Sequence, residues 1–157
     1  MSKHVLIAYF SASGVTGRAA RELAEATGGD LYEIVPAQPY TPADLDWTDK
    51  KSRSTLEMND PACRPAIVRP AEGLERYDTI FVGFPVWWYV EPRIVDTFLE
   101  SCDLTGKTLI PFATSGGSGI GGAEARMKSL CPGAVWKPGR LLNGGGGADW
   151  AGSLVRD

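Results

Sequence analysis

Short apolar runs and amphipathic helical segments alternate about five times along this chain, and that alternation restricts it to a parallel sheet with helices on both faces. Residues 4–10 (HVLIAYF), 79–84 (TIFVGF) and 108–113 (TLIPFA) are nearly continuous apolar runs. Such runs suit strands buried on both faces. Residues 30–35 read as a second strand. Residues 135–142 read as a fifth, interrupted by Pro138-Gly139. Between the strands lies a helix to about Thr27, with Thr16 as its expected N-cap, Val15, Ala19, Leu23 and Ala26 on one face, and Gly28-Gly29 as its stop. Pro92 opens a helix to about Cys102, whose apolar face is Ile94, Val95, Phe98, Leu99 and Cys102. Residues 72–77 suit a short helical turn. Residues 123–130 form a helix ended by Pro132-Gly133, and Asp149 is the expected cap of a last one. Right-handed crossovers leave few topologies. The expected fold class is α/β, a three-layer, doubly wound, five-stranded parallel sheet of order 2-1-3-4-5 or 3-2-1-4-5.

At 157 residues the chain is expected to form a single domain, 1–157. Hydrophobic residues at 43% and charged residues at 22% exclude a disordered or coiled-coil chain. A net charge of −3 provides no basic excess for a phosphate polymer, so no nucleic acid partner is expected. Cys63, Cys102 and Cys131 are scattered and odd in number, which fits a reducing cytoplasm rather than a disulfide framework or structural zinc. One histidine, His4, leaves no basis for a histidine metal site or a Ser-His-Asp triad. The longest apolar stretch, residues 80–90, contains Gly83 and Pro85 and falls short of the ~18 residues of a membrane span. A cytoplasmic protein with no membrane partner is the expectation.

Residues 36–70 break the pattern, with six prolines, charges of both signs and little periodicity. Connections longer than ~12–15 residues are usually functional or disordered. The segment reads as a surface excursion over the sheet edge or the ligand site, with a mobile insertion as the other reading.

In an open α/β sheet, ligands bind outside the carboxyl ends of the strands. After the first strand come Ser11, Ala12, Ser13, Gly14, Val15 and Thr16: three hydroxyls, a glycine and a helix N-terminus, together an anion cradle. Neither G-x-x-x-x-G-K-[ST] nor G-x-G-x-x-G is present. After the third strand come Pro85, Val86, Trp87, Trp88 and Tyr89. Three successive aromatics cannot all face the core, so at least one is exposed or covers a ligand. A protein interface is the alternative use. After the fourth strand come Thr114, Ser115, Gly116, Gly117, Ser118 and Gly119, small residues against which a flat ring can lie. The common ligand of the three loops is a planar heteroaromatic ring carrying one phosphate.

At these residues the sequence resembles the flavodoxin family, in particular its short bacterial members with a double-tryptophan loop. The stretches carrying the resemblance are SASGVT (11–16), GFPVWWY (83–89) and PFATSGGSGIGG (111–122). The resemblance implies non-covalent FMN and selects strand order 2-1-3-4-5. It places residues 11–16 on the phosphate, 85–89 beside the isoalloxazine and ribityl, and 114–119 along the pyrimidine edge. Val15 stands where many relatives have asparagine, a lost side-chain contact to the phosphate. In a flavoprotein the flavin carries the chemistry, so no protein nucleophile or general base is expected. Met58, Arg53 and Arg64 of the excursion are candidates to close over the ring or phosphate. The implied function is electron transfer or a small FMN-dependent oxidoreductase, with a redox protein, a nicotinamide or a quinone as partner. The alternative is an interaction module on the same fold with weak or no FMN binding. A tyrosine phosphatase is disfavoured, since residues 11–16 lack cysteine and arginine. So is a response regulator, since Phe10 and Phe84 stand where it needs aspartate.

Overall fold

The computed structural model describes residues 4–155 except 13, 69, 70, 72, 115–118 and 143–146. The elements, in chain order, are β1 (Val5–Tyr9), α1 (Val15–Thr27), β2 (Asp30–Glu33), α2 (Arg53–Met58), β3 (Thr79–Pro85), α3 (Arg93–Glu100), β4 (Thr108–Thr114), α4 (Gly121–Leu130), β5 (Val135–Trp136), β6 (Arg140–Leu141) and α5 (Gly147–Val155). A single 3-10 turn, Leu74–Arg76, precedes β3.

All strand pairs are parallel, in the order β2-β1-β3-β4-β5, with β6 also on β4. This is the order 2-1-3-4-5. The fifth position is shared by two short pieces, β5 against Thr108 and Leu109 and β6 against Phe112 and Ala113. The break has a cause in β4. The carbonyls of Leu109 and Ala113 accept from Lys137 and Leu142 on that side, so the residue between them in parity, Pro111, has no N–H to offer there. The chain bulges past it at Gly139, where a Cβ would stand 2.3 Å from the Pro111 carbonyl oxygen.

The period-2 alternation of the strands divides the core into two layers. Leu6, Ala8, Ile80, Val82, Phe84, Leu109 and Ala113 face α3 and α4, meeting Ile94, Val95, Phe98, Leu99, Ala123 and Met127. Val5, Ile7, Tyr9, Phe81, Ile110 and Phe112 face α1 and α5, meeting Ala19, Ala20, Leu23 and Ala151. Each fully enclosed Phe or Leu contributes roughly 1.5–3 kcal/mol. Both layers are closed, and the sheet is covered on its two faces by helices. Among the described residues no helix is long and apolar enough to cross a membrane.

Residues 36–68 are tied into the fold. Their base is tied by the Pro36–Ile67 bridge and by Ala37 N–H to the Ala66 carbonyl (2.8 Å). Within lies α2, started by the Ser52 hydroxyl, which accepts from Thr55 N–H. Arg93 of α3 closes the far end of α2, donating to the carbonyls of Glu57 (3.3 Å) and Met58 (2.7 Å). Six residues are too few for a helical period to show, which is why the sequence reads as irregular there. The expected partners of the ring or phosphate are held elsewhere. Arg53 lies 3.8 Å over the Tyr40 ring and pairs with Glu57. Arg64 pairs with Glu100 at 2.7 Å. Met58 is buried.

Candidate functional site

β1, β3 and β4 deliver their following loops to one edge of the sheet. After β1, the Ser11 hydroxyl accepts from the N–H groups of Gly14 and Gly17, both at 3.1 Å. Ser11, not Thr16, therefore occupies part of the donor set at the start of α1. Gly14 is the N-cap, at φ 95°, a left-handed conformation that favours glycine. Thr16 is buried, and its hydroxyl bonds that of Thr114 at 2.8 Å, stapling the first loop to the end of β4. Thr16 therefore does not act as the N-cap the sequence suggested, a place taken by Gly14. Ala12 is half-buried, and Val15 is half exposed on the first turn, which carries no acidic residue. That leaves the end open to an anion. Ser13 lies outside the described residues, as do Ser115, Gly116, Gly117 and Ser118. Gly119 is exposed beyond them. Asp149 sits inside the first turn of α5 rather than before it.

The loop after β3 is the most constrained piece. Val86 N–H bonds the Thr114 carbonyl at 2.9 Å, continuing the sheet by one residue past Pro85. Trp87 and Val90 then exchange N–H···O bonds of 2.9 and 3.0 Å around Trp88 and Tyr89, at φ 47° and 70°. Two successive positive φ values are the mark of a type I′ turn, a position normally taken by Asn and Gly. In bulky aromatics they cost of order 1–3 kcal/mol each and cluster at functional sites. The three aromatics divide as three in a row must. Trp87 packs edge-on to Phe10 (5.7 Å) and Tyr40 (5.6 Å), while Trp88 is 40% and Tyr89 71% exposed.

Beside this turn opens a cleft of about 400 Å³, lined by Leu45, Trp47, Ser54, Val86, Trp87, Trp88 and Tyr89. Not one of these side chains is charged, which suits a flat apolar ring. Trp47, from the excursion, is 74% exposed. Sequence reasoning missed Trp47, Leu45 and Ser54. Its only signal was the length of the excursion itself.

Behind the turn, Gly122 of α4 lies so close that a Cβ would stand 2.6 Å from the Tyr89 carbonyl oxygen. Next along the chain, Glu91 is fully buried, and Arg126 of α4 donates to it at 3.3 Å and to buried Asp96 at 3.1 Å. Burial, followed by the hydrogen bond to Asp96 and the charge of Asp96, pushes the Glu91 carboxyl up to about 9. Burial also raises the Cys63 and Cys102 thiols, and pushes that of Cys131 up to about 11. None is activated as a nucleophile.

This edge, with a hydroxyl-and-glycine helix start after β1 and an aromatic turn with its cleft after β3, lies at the carboxyl ends of the strands, where a doubly wound sheet takes its ligands. The flavodoxin family model matches residues 4–154. The chain belongs to the flavodoxin family. It is 52% identical to a protein of Bacteroides eggerthii assigned as a flavoprotein, with a TM-score of 0.93 and 98% of each chain covered. A second such protein, from Bacteroides uniformis, is 50% identical over 100% of both chains, with a TM-score of 0.91. A flavoprotein of Lactobacillus acidophilus, solved in complex with FMN, shares the fold at 22% identity, a TM-score of 0.74, and 89% and 93% coverage. The curated proteins offer no match.

Proposed function

We propose that this chain, as a single flavodoxin-like domain of residues 1–157 in the cytoplasm, binds FMN at the edge just described and serves in electron transfer or as a small FMN-dependent oxidoreductase. The observation that carries the reading is the strained Trp88–Tyr89 turn standing over an uncharged cleft beside the start of α1. A turn that expensive, built from the two residues that a planar ring would stack on, has its reason in a ligand.

Residues 11–16 would hold the phosphate through hydroxyls and main-chain N–H groups, with Gly14 allowing close approach. Residues 85–89 would flank the ring, and residues 114–119 would meet its polar edge. Fit favours the flavin: the first turn of α1 carries no acidic residue to repel a phosphate, and the cleft lining is uncharged. FMN, when bound, supplies one- and two-electron transfer. This chain's own part is to bind, orient and shield. Thr16 and Thr114 keep the phosphate loop and the β4 loop in register, and Trp87, wedged between Phe10 and Tyr40, fixes the root of the aromatic turn.

The test is redox turnover of the FMN-loaded protein under anaerobic conditions. After reduction by dithionite, addition of a soluble quinone is expected to restore the oxidised flavin spectrum with one quinone consumed per flavin. A reduced flavin that stays reduced in quinone, and equally in a one-electron acceptor such as ferricyanide, rejects the redox role while leaving FMN binding in place.

A further inference from the structure

The densest group of enclosed charges lies directly behind the aromatic turn. Glu91 and Asp96 are both 0% exposed. Arg126 donates its Nε to Glu91 Oε2 at 3.3 Å and its Nη2 to Asp96 Oδ2 at 3.1 Å. Of the other cations nearby, Arg93 of α3 gives Nε and Nη2 to the Glu57 and Met58 carbonyls, its Nη1 being enclosed without a partner, and Arg64 of the excursion pairs with Glu100, its Nη1 3.9 Å from Asp96. Two enclosed carboxyls therefore share one guanidinium at hydrogen-bond distance.

The remaining oxygens carry the argument. Glu91 Oε1 and Asp96 Oδ1 are enclosed with no partner. Yet the two carboxyls sit side by side, on the adjacent Nε and Nη2 of one guanidinium. Ionised carboxylates only accept, so neither can satisfy the other. One proton resolves this. A protonated carboxyl donates to its ionised neighbour, and the remaining negative charge is hydrogen-bonded by Arg126, with Arg93 as the second cation facing the pair.

We propose that Glu91 is a positioning residue for the aromatic turn, acting as the protonated partner of Asp96, so that loss of their shared proton slackens the turn and weakens FMN binding. This rests on the FMN reading above for its functional consequence, though not for the proton. The linkage is short. Val90, which closes the turn, adjoins Glu91 in the chain. Gly122, against the Tyr89 carbonyl, lies one helical turn before Arg126. The groups facing Glu91 are Asp96 and Arg93 from α3 and Arg126 from α4, with Arg64 of the excursion behind Asp96. Burial and Asp96 raise the Glu91 carboxyl to about 9, so the proton is held at neutral pH and leaves on the alkaline side.

The experiment has an arm with FMN and an arm without. FMN dissociation constants are measured between about pH 7.5 and 9.5, a range in which the phosphate, with its second pKa near 6, does not titrate. Wild type is expected to weaken about fourfold across it, the fraction of protonated Glu91 falling to about a quarter. Glu91→Ala is expected to weaken binding throughout. Glu91→Gln, whose amide donates to Asp96 and accepts from Arg126, is expected to rescue the alanine variant at the lower pH and to lack the slope. In the second arm, infrared spectra of the FMN-free wild type at neutral pH are expected to show a protonated-carboxyl stretch that fades through about pH 9 and is absent in both Glu91→Gln and Asp96→Asn. Identical pH profiles for wild type and Glu91→Gln, or a neutral-pH spectrum without that stretch, overturn the proposal. A wild type that takes up no FMN at the lower pH refutes the FMN reading instead, and the proton is then decided by the infrared arm.

Discussion

Gly83→Ala is expected to lower the free energy of unfolding by roughly 3 kcal/mol or more, at the upper end of overpacking substitutions. Gly83 is in the centre of β3, paired in register with Phe112 of β4. A Cβ there would meet three atoms of the Phe112 ring at 2.1, 2.4 and 2.7 Å. Phe112 is fully enclosed between the sheet and the helices, so it has nowhere to turn. The neighbours on β3, Val82 and Phe84, are likewise fully buried. A shift of the backbone would therefore disturb both core layers at once. Urea unfolding measures the effect, and a midpoint within error of wild type would refute the geometry of the β3–β4 pair. Because β3 leads straight into the aromatic turn, the surviving folded fraction is also expected to bind FMN more weakly.

Arg126→Met comes second in size, with an expected loss of about 3 kcal/mol, in the range for removing one partner of an enclosed ion pair. Arg126 is the cation within hydrogen-bond distance of both Glu91 and Asp96, and its removal strands the negative charge of this fully buried carboxyl pair. Methionine keeps most of the aliphatic stem, so the loss reports charge rather than packing. Adding Asp96→Asn to Arg126→Met is expected to recover part of the stability, because the stranded negative charge is gone. A double-mutant cycle across the two sites should yield a coupling of about 0.5–3 kcal/mol. Additivity would contradict the cluster as described.

Most of the architecture is legible in the residues, for a physical reason. Strands buried on both faces must be apolar throughout, so HVLIAYF, TIFVGF and TLIPFA mark β1, β3 and β4 directly. Where burial is partial, the signal thins. β2, with three of four residues exposed, ends at Glu33 rather than at Val35. α2 has only six residues and is held by contacts from elsewhere, above all Arg93. At the start of α1 the Gly14 and Gly17 N–H groups go to the Ser11 hydroxyl, while that of Thr16 is turned inward to Thr114. Nothing local to Thr16 foretells a partner 98 positions away. The aromatic turn was visible as a problem, since WWY cannot be wholly buried, but not as a left-handed turn. Trp47, Glu91, Asp96 and Arg126 come together only through the fold, one from the excursion and three from around α3 and α4.

The central claim is that this edge of the sheet is an FMN site shaped by the Trp88–Tyr89 turn. Its most direct measurement is fluorescence titration of FMN with flavin-free wild type and with Gly122→Ala, in which a Cβ would press on the Tyr89 carbonyl from 2.6 Å. The account predicts saturable quenching at one FMN per chain for wild type, and binding at least about tenfold weaker, or some 1.4 kcal/mol, for Gly122→Ala. Unquenched flavin at saturating protein, or equal affinity in the two proteins, would contradict it.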